Sequence, residues 1–418
     1  MTLQDLKQTV SSQKGLYELL DEARITKKVW KHRASSTSTF LANPLHYALA
    51  QGLGVNFGST DKTIVGSAVH AVVDYAYSNS KDRIGLAIKS VVDEVEKEWQ
   101  NLQADLVEKT DKKVLIKNAI KYFKLYFKQV LISNRDSFVS SEKYLEIDVP
   151  VGMYKNPNNF GKIMLTGTFD RLYKDSDGNY ILGDLKTSGS RISGSCEKSK
   201  ELQDFEAELG SLEKAKKEWE KIGSKFQNAE IKCREIMDEK AQVQIAISDA
   251  KLNGKATKAL ENKLEKLNSE FEKWTENLDR LEEATIEVLS LMNEISKLEE
   301  LSKPIFEAFE IEKNKADLEA CKQQYGFQVA LYSLMYMIVH GVEIKKAKVE
   351  VIVKTKIPQI QIFEWELDND TLRKAEEAIQ MVVDTIEAFY DGVGSSLLFR
   401  HNPYTYFGSE TNDFLNTL

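Results

Sequence analysis

Apolar positions along this chain follow two kinds of rhythm. From Leu260 they run Leu260, Leu264, Leu267, Phe271, Trp274, Leu278 and Leu281, alternating steps of four and three, which is the heptad spacing of a coiled coil. Upstream, Leu202, Phe205, Leu209, Leu212, Ala215, Trp219, Ile222, Phe226, Ala229, Cys233 and Ile236 keep that spacing with one slip of three near Ala215, which predicts a stammer there. Asn253-Gly254, between the two runs, is a turn pair. The pattern predicts an antiparallel helical hairpin over residues 197–303, with arms of about 45 to 50 residues and on the order of 70 Å long. Pairing between two chains would satisfy the same heptads, but the turn favours closure within one.

The flanks read as two halves of one domain, 1–196 and 304–418, that the arm interrupts. Apolar residues at helical spacing predict helices over about 61–77 and 112–131. Short β-rich runs at 144–149, 162–173 and 180–187 predict strands, the last two joined through the turn residues Asp175-Ser176-Asp177-Gly178. After the arm come a helix over about 317–339, a strand at 349–353, a further strand around Ile360 and Ile362 beyond Pro358, and a helix over about 371–390. Asp370 is the expected N-cap of that last helix and Gly392 lies past its end. The class is α/β with a helical insertion.

Charge changes the picture in one respect. The chain of 418 residues carries a net charge of −8, which argues against non-specific nucleic-acid binding through a generally basic surface. Between positions 197 and 303 there are 25 acidic and 19 basic residues, so most of the acidity belongs to the arm and the remainder is close to neutral. No run of apolar residues is long enough to cross a membrane, and residues 1–30 form a polar amphipathic stretch without a signal-peptide core. Cys196, Cys233 and Cys321 are far apart with no CxxC pairing, which fits a reducing cytoplasm and offers neither a disulfide framework nor a zinc ribbon.

Candidate chemistry lies in the predicted hairpin. For a tight turn near Asp177, residues whose numbers sum to about 354 face each other, so Asp170 opposes Asp184. Lys186, two residues on, shares that face, whereas Leu185 points away. Opposed carboxylates on a buried strand are unfavourable unless a cation lies between them. Hard oxygen donors of this kind suit Mg²⁺ or Mn²⁺, and such an ion with an adjacent lysine suits phosphodiester hydrolysis.

The same residues carry a resemblance. Gly167-Thr168-Phe169-Asp170 followed by Asp184-Leu185-Lys186-Thr187 resembles the core signature of the PD-(D/E)XK nucleases, in their RecB-like exonuclease branch. Gly66-Ser67-Ala68-Val69-His70 resembles the upstream helix with a metal-binding histidine, and Glu142 the accessory acid. Gln328-Val329-Ala330-Leu331-Tyr332 resembles the QxxxY helix, and Ser36 through Pro44 the serine-rich N-terminal segment that ends in Cys-Pro. Apart from the arm, the likeness spans about residues 35–390. It implies a mixed central sheet flanked by helices, with the arm as an insertion.

The resemblance also implies roles. Asp170 and Asp184 would bridge Mg²⁺ or Mn²⁺, joined by His70, the backbone carbonyl of Leu185 and Glu142, with Glu146 as a competitor for the last. Lys186 would position or activate the attacking water. Gln328 and Tyr332 would orient Lys186 and touch the DNA backbone, and Thr187 and Ser188 would donate to a phosphate. Many relatives add an iron-sulfur cluster, but Asn43 stands at its first cysteine position and no cysteine follows Cys321, so no cluster is expected and the tail around Phe399-Arg400-His401-Asn402-Pro403-Tyr404 is left to close the domain by packing.

The function so implied is a metal-dependent exonuclease on linear DNA, in replication, recombination or repair, in the cytoplasm of a bacterial or phage-infected cell. With no Walker A sequence in the chain, a helicase, single-strand-binding protein or recombination factor is the expected partner for the arm. The alternatives are a structure-specific or RNA-directed endonuclease on the same fold, and a non-catalytic adaptor that displays the arm.

Overall fold

The structure is a computed structural model, and it describes residues 1, 3–79, 84–103, 106–402 and 414–415. The chain divides into two compact units, one formed by Met1–Gly194 with Asp317–Leu418 and the other by Ser195–Ala316.

In the first unit, α1 (Leu3–Thr9) and α2 (Gln13–Thr26) precede β1 (Trp30–Arg33), and the short α3 (Thr37–Ala42) and α4 (Pro44–Tyr47) follow it. Next come α5 (Asp61–Ser78), α6 (Ile84–Trp99) and α7 (Lys112–Tyr126), the last continuing through a π turn into α8 (Ile132–Asn134). Then β2 (Phe138–Asp148), β3 (Ile163–Lys174) and β4 (Tyr180–Ser188) lead out to the second unit. There, α9 (Lys200–Phe226) and α10 (Ala229–Leu252) pack along α11 (Lys258–Cys321), which carries the chain back. The first unit then resumes with α12 (Phe327–His340), β5 (Ile344–Val353), β6 (Gln359–Glu366), α13 (Asn369–Tyr390) and α14 (Ser395–Leu398).

Six strands form one mixed sheet in the order β1-β3-β4-β5-β6, with β2 also paired to β3. The β3–β4 and β5–β6 pairs are antiparallel, whereas β1 runs parallel to β3 and β4 parallel to β5. A core cluster that includes Phe169, Leu182, Tyr332 and Ile386 forms on the side of α12 and α13. A second, including Val69, Val91, Phe123 and Leu185, forms on the side of α5, α6 and α7. This is the expected sheet flanked by helices. The short β1 and the helix α6 were not anticipated. The helix expected over 317–339 is interrupted by a π turn, Lys322–Gly326, and Pro304 lies inside α11. The N-cap of α13 is Asp368, which accepts from the Thr371 amide, rather than Asp370, which sits in the first turn and pairs with Arg373 and Lys374.

The second unit packs as the heptads require. Ile236, Val243 and Ile247 meet Leu260, Leu264, Leu267, Phe271 and Trp274. Lys263 with Glu239 and Lys251 with Glu261 make ion pairs across the antiparallel helices, and Gly254 takes the left-handed turn conformation at φ 67°. The slip near Ala215 does not interrupt the helix. The break falls at Gln227-Asn228, between α9 and α10.

Around β1 lies a buried polar network. Trp30 Nε1 donates to Tyr47 Oη at 2.9 Å, and the His32 ring contacts Tyr47 Oη through Nδ1 and Thr37 Oγ1 through Nε2, both at 2.8 Å. Thr37 Oγ1 donates to the Ala34 carbonyl, so His32 donates through Nε2 and accepts through Nδ1. Full burial pushes its pKa down to about 3. The unfolded chain therefore takes up a proton near pH 6.5 that the folded chain refuses. Stability from this residue is complete above that pH and falls as pH drops toward 3, by about 2 kcal/mol between pH 7.5 and 5. Urea midpoints at the two pH values test this, and a His32→Asn variant with an equally steep pH dependence would refute it.

The tail closes this region by packing. Phe399 is fully buried and stacks on Trp30, with ring centroids 5.8 Å apart at 10°, and meets Phe389 edge-on. Asn43 caps α4 by accepting from the His46 amide ahead of Pro44. Pro403 and Tyr404 lie outside the described residues. Among the described residues, no helix is long and apolar enough to cross a membrane.

Candidate active site

Helix α5 brings His70 to the sheet. Its start is set by a capping box in which Thr60 Oγ1 accepts from the Thr63 amide and Thr63 Oγ1 accepts from the Thr60 amide. Ile64, Val65, Ala68, Val69, Val72 and Val73 form its buried stripe. Gly66 permits a close approach to β4, since a Cβ there would lie 3.0 Å from Thr187 Oγ1. One turn later, His70 Nδ1 lies 3.3 Å from Asp170 Oδ1.

The β3–β4 hairpin has the register expected from its turn. Arg171 pairs with Gly183 and Leu172 with Leu182, which places Asp170 opposite Asp184. In the turn, Asp175 accepts from the amides of Asp177 and Asn179, and Gly178 sits at φ 82°. Asp170 Oδ2 accepts from the Leu185 amide at 2.6 Å. Asp184, only 2% exposed, accepts from Lys186 Nζ through Oδ1 at 2.9 Å. Its Oδ2 lies 2.8 Å from the same ammonium yet forms no hydrogen bond.

Burial opposes charge on all three side chains. At Asp170 the His70 imidazole, with Lys186 and Arg171, outweighs it and holds the carboxyl below its ordinary value. At Asp184, burial reinforced by the charge of Asp170 outweighs Lys186 and pushes the carboxyl up. Asp184 and Asp170 together raise Lys186 above the usual ammonium range. Beside these two carboxylates the Lys186 ammonium is favoured in its charged form, as a donor.

Helix α12 supplies the aromatic wall. Gln328 Nε2 donates to Tyr332 Oη at 3.2 Å, and the Tyr332 ring packs on Gly167, where a Cβ would come within 2.4 Å of it. Burial pushes the Tyr332 hydroxyl up to about 12, so it remains a neutral donor. The ring facing Lys186 is Tyr325, 5.6 Å from Nζ to its centroid. Among the described residues no hydrogen bond links Gln328 or Tyr332 to Lys186; the Gln328 amide serves Tyr332 instead. Tyr325 was missed because its place over Lys186 depends on the π turn, which no spacing rule signals.

The remaining expected residues separate. Thr187 faces α5 and is reached by Lys354 Nζ at 3.3 Å. Ser188 Oγ donates to the Ser190 carbonyl and accepts from the Ser190 amide, closing a local turn. Glu146 is bound to Lys31 and Tyr144 on the far part of β2. Glu142 lies on β2, and its side chain is outside the described residues. A cleft of about 570 Å³ lined by Gly66, Ser67, His70, Lys186 and Thr187 opens beside the pair.

A family model of the PD-(D/E)XK nuclease superfamily matches residues 34–275. The chain belongs to that superfamily. The matched span contains His70, Asp170, Asp184 and Lys186, while Gln328 and Tyr332 lie beyond it. No curated relative matches. Among solved structures, one from Eubacterium rectale described as "Putative exonuclease" aligns over 92% of this chain and 87% of its own, at 9% identity and a TM-score of 0.40, a likeness too distant to transfer any role.

Membership in the PD-(D/E)XK superfamily implies a phosphodiester hydrolase that binds nucleic acid, and its nucleases generally use divalent metals. Among the described residues, no three His, Cys, Asp or Glu side chains are grouped so as to hold a metal ion; the Lys186 ammonium sits on Asp184 instead. The donor chemistry nonetheless fits one. The His70 imidazole lies on Asp170, Asp184 opposes Asp170 across the hairpin, and one buried carboxylate oxygen has no hydrogen bond.

Proposed function

We propose that this PD-(D/E)XK protein is a metal-dependent DNA exonuclease that hydrolyses linear DNA from its ends, in replication, recombination or repair. The observation that carries this reading is the opposed pair Asp170 and Asp184, with Lys186 Nζ within 2.9 Å of both oxygens of the Asp184 carboxylate, one of which accepts no hydrogen bond. Asp170, Asp184, His70 and the carbonyl of Leu185, with Glu142, would hold Mg²⁺ or Mn²⁺. When bound, the ion would supply Lewis acidity toward the phosphoryl group and acidify water.

The chain's own residues do the rest. Asp170, kept ionised, holds the Leu185 amide and thereby the strand end that presents Lys186. Lys186 stays protonated and donates, which suits it to orient water and offset the charge that develops on phosphorus. Tyr332, steadied by Gln328, offers a neutral hydroxyl to the nucleic-acid backbone. The three cysteines are free, which suits a reducing cytoplasm, bacterial or phage-infected. A helicase, single-strand-binding protein or other recombination factor is the class of partner proposed for the arm.

The test is digestion of end-labelled linear duplex, linear single-stranded and closed circular DNA with Mg²⁺, Mn²⁺ or EDTA. Metal-dependent loss of the linear substrates alone is expected. Cleavage of circles would replace the exonuclease by an endonuclease, and no cleavage with any metal would remove the catalytic reading in favour of an adaptor.

A further inference from the structure

A second cleft, of about 590 Å³, lies along the outer part of the sheet and is lined by Lys27, Lys31, Arg33, Tyr144, Thr168 and Tyr332, among others. Its floor follows from strand alternation. On β1, Trp30 and His32 are buried and Lys31 and Arg33 are exposed. Thr166 of β3 is the register partner of both Arg33 and Glu146, and Thr168 is the partner of Tyr144, so these side chains share one face. Thr168 precedes Asp170 by two residues on the same strand, about 7 Å. Tyr332 lines the cleft and is close enough to Asp184, Lys186 and Asp170 to feel their charges.

The chemistry of this cleft is specific. Tyr144 is 58% exposed, while its hydroxyl donates to Glu146. Lys31 pairs with that same Glu146 at 3.0 Å and so cancels its charge. Lys27 donates to the carbonyls of Gln51 and Gly52 and pairs with no carboxylate among the described residues. The exposed Arg33 side chain has no ion pair or hydrogen bond among the described residues. An exposed tyrosine ring and an unpaired guanidinium that line one cleft suit a base and its phosphate.

We infer that this cleft seats the nucleic acid as a single strand next to the bond to be cut, with a base stacked on Tyr144 and a phosphate on Arg33. The inference rests on the proposed reading of Asp170 and Asp184 as the hydrolytic site. A base inside a duplex has both faces covered by its neighbours, so a strand that runs through the cleft with a base on Tyr144 is unpaired there.

The test reads binding without cleavage. Fluorescein-labelled oligothymidine of twelve nucleotides is titrated with the full chain in EDTA and followed by anisotropy at several salt concentrations. Tyr144→Ala should weaken binding about 5- to 150-fold, and Tyr144→Phe, which keeps the ring, should bind as the native chain does. Arg33→Gln should weaken binding and lower the slope of log K against log salt by about 0.7, whereas Arg33→Lys should restore the slope. Lys374→Ala, an equal charge loss on α13, should change neither. A blunt duplex of the same length should be insensitive to Tyr144→Ala.

Native-like binding by Tyr144→Ala and Arg33→Gln, no binding by the native chain, or an equal effect of Tyr144→Ala on duplex would each overturn the inference. Because no cleavage is needed, the two readings fail separately. A chain that binds through Tyr144 and Arg33 yet cuts nothing refutes the nuclease assignment alone, and one that cuts while those variants bind normally refutes the cleft alone.

Discussion

Asp184→Asn is expected to lower phosphodiester cleavage by at least about 10³-fold, a change of roughly 4 kcal/mol in activation free energy, while the chain stays folded. The substitution keeps the shape of a side chain that is 2% exposed and removes only its charge and one acceptor. With that charge go the attraction for a cation and the electrostatic hold on Lys186 Nζ, 2.8 to 2.9 Å away. Folding should tolerate the change because burial already disfavours the Asp184 carboxylate, so a neutral amide relieves part of that cost. Initial rates on labelled DNA in Mg²⁺ and Mn²⁺, beside urea midpoints, separate the two effects. Activity within tenfold of the native chain would mean that hydrolysis occurs elsewhere.

The largest stability change is expected at Glu350. This carboxylate is fully buried and lies 3.4 Å from Arg171 Nη2, whose side chain is 2% exposed. Tyr126 Oη donates to its Oε2 at 2.5 Å and Asn134 Nδ2 to its Oε1 at 3.2 Å, with Lys348 Nζ 3.5 Å away. Arg171 sits between the rings of Tyr77 and Tyr126, and its Nε has no acceptor. Glu350→Ala would leave this guanidinium buried without the carboxylate it pairs with and should cost about 3 to 5 kcal/mol. The paired variant Arg171→Met with Glu350→Leu should recover most of that loss, because it removes both charges. Denaturant unfolding of the three proteins decides the matter: a loss under 1 kcal/mol for Glu350→Ala would show that the ion pair is dispensable. Arg171 adjoins Asp170, so the single substitution should also disturb the site, whereas the Asp184 variant leaves this cluster intact.

The parts of the fold that could be foreseen are those with local causes. The heptads from Leu260 to Trp274 and the Asn253-Gly254 turn sufficed for the helical hairpin, because side-chain period and turn conformation are properties of neighbouring residues. The β3–β4 register followed from Asp175 through Gly178, since a tight turn leaves the flanking strands one way to pair. By contrast, β1 is only four residues long, too short for its alternation to stand out, and its parallel partner lies more than a hundred positions away. The slip near Ala215 leaves the helix continuous, since a coiled coil absorbs a three-residue shift without breaking, whereas Gln227-Asn228 ends a helix that the heptads would have continued.

At the site the same division holds. Sequence alone put the candidates forward: Asp170, Asp184 and Lys186 by their spacing on a hairpin, and His70 by the resemblance of its helix to the family's. Only tertiary structure decided what each of them faces. It placed His70 on Asp170, Tyr325 rather than Gln328 at Lys186, Glu146 with Lys31 and Tyr144, and Glu350 under Arg171. Such contacts join residues far apart in the chain, and their geometry comes from how helices and sheet pack together, which a spacing of a few residues cannot encode.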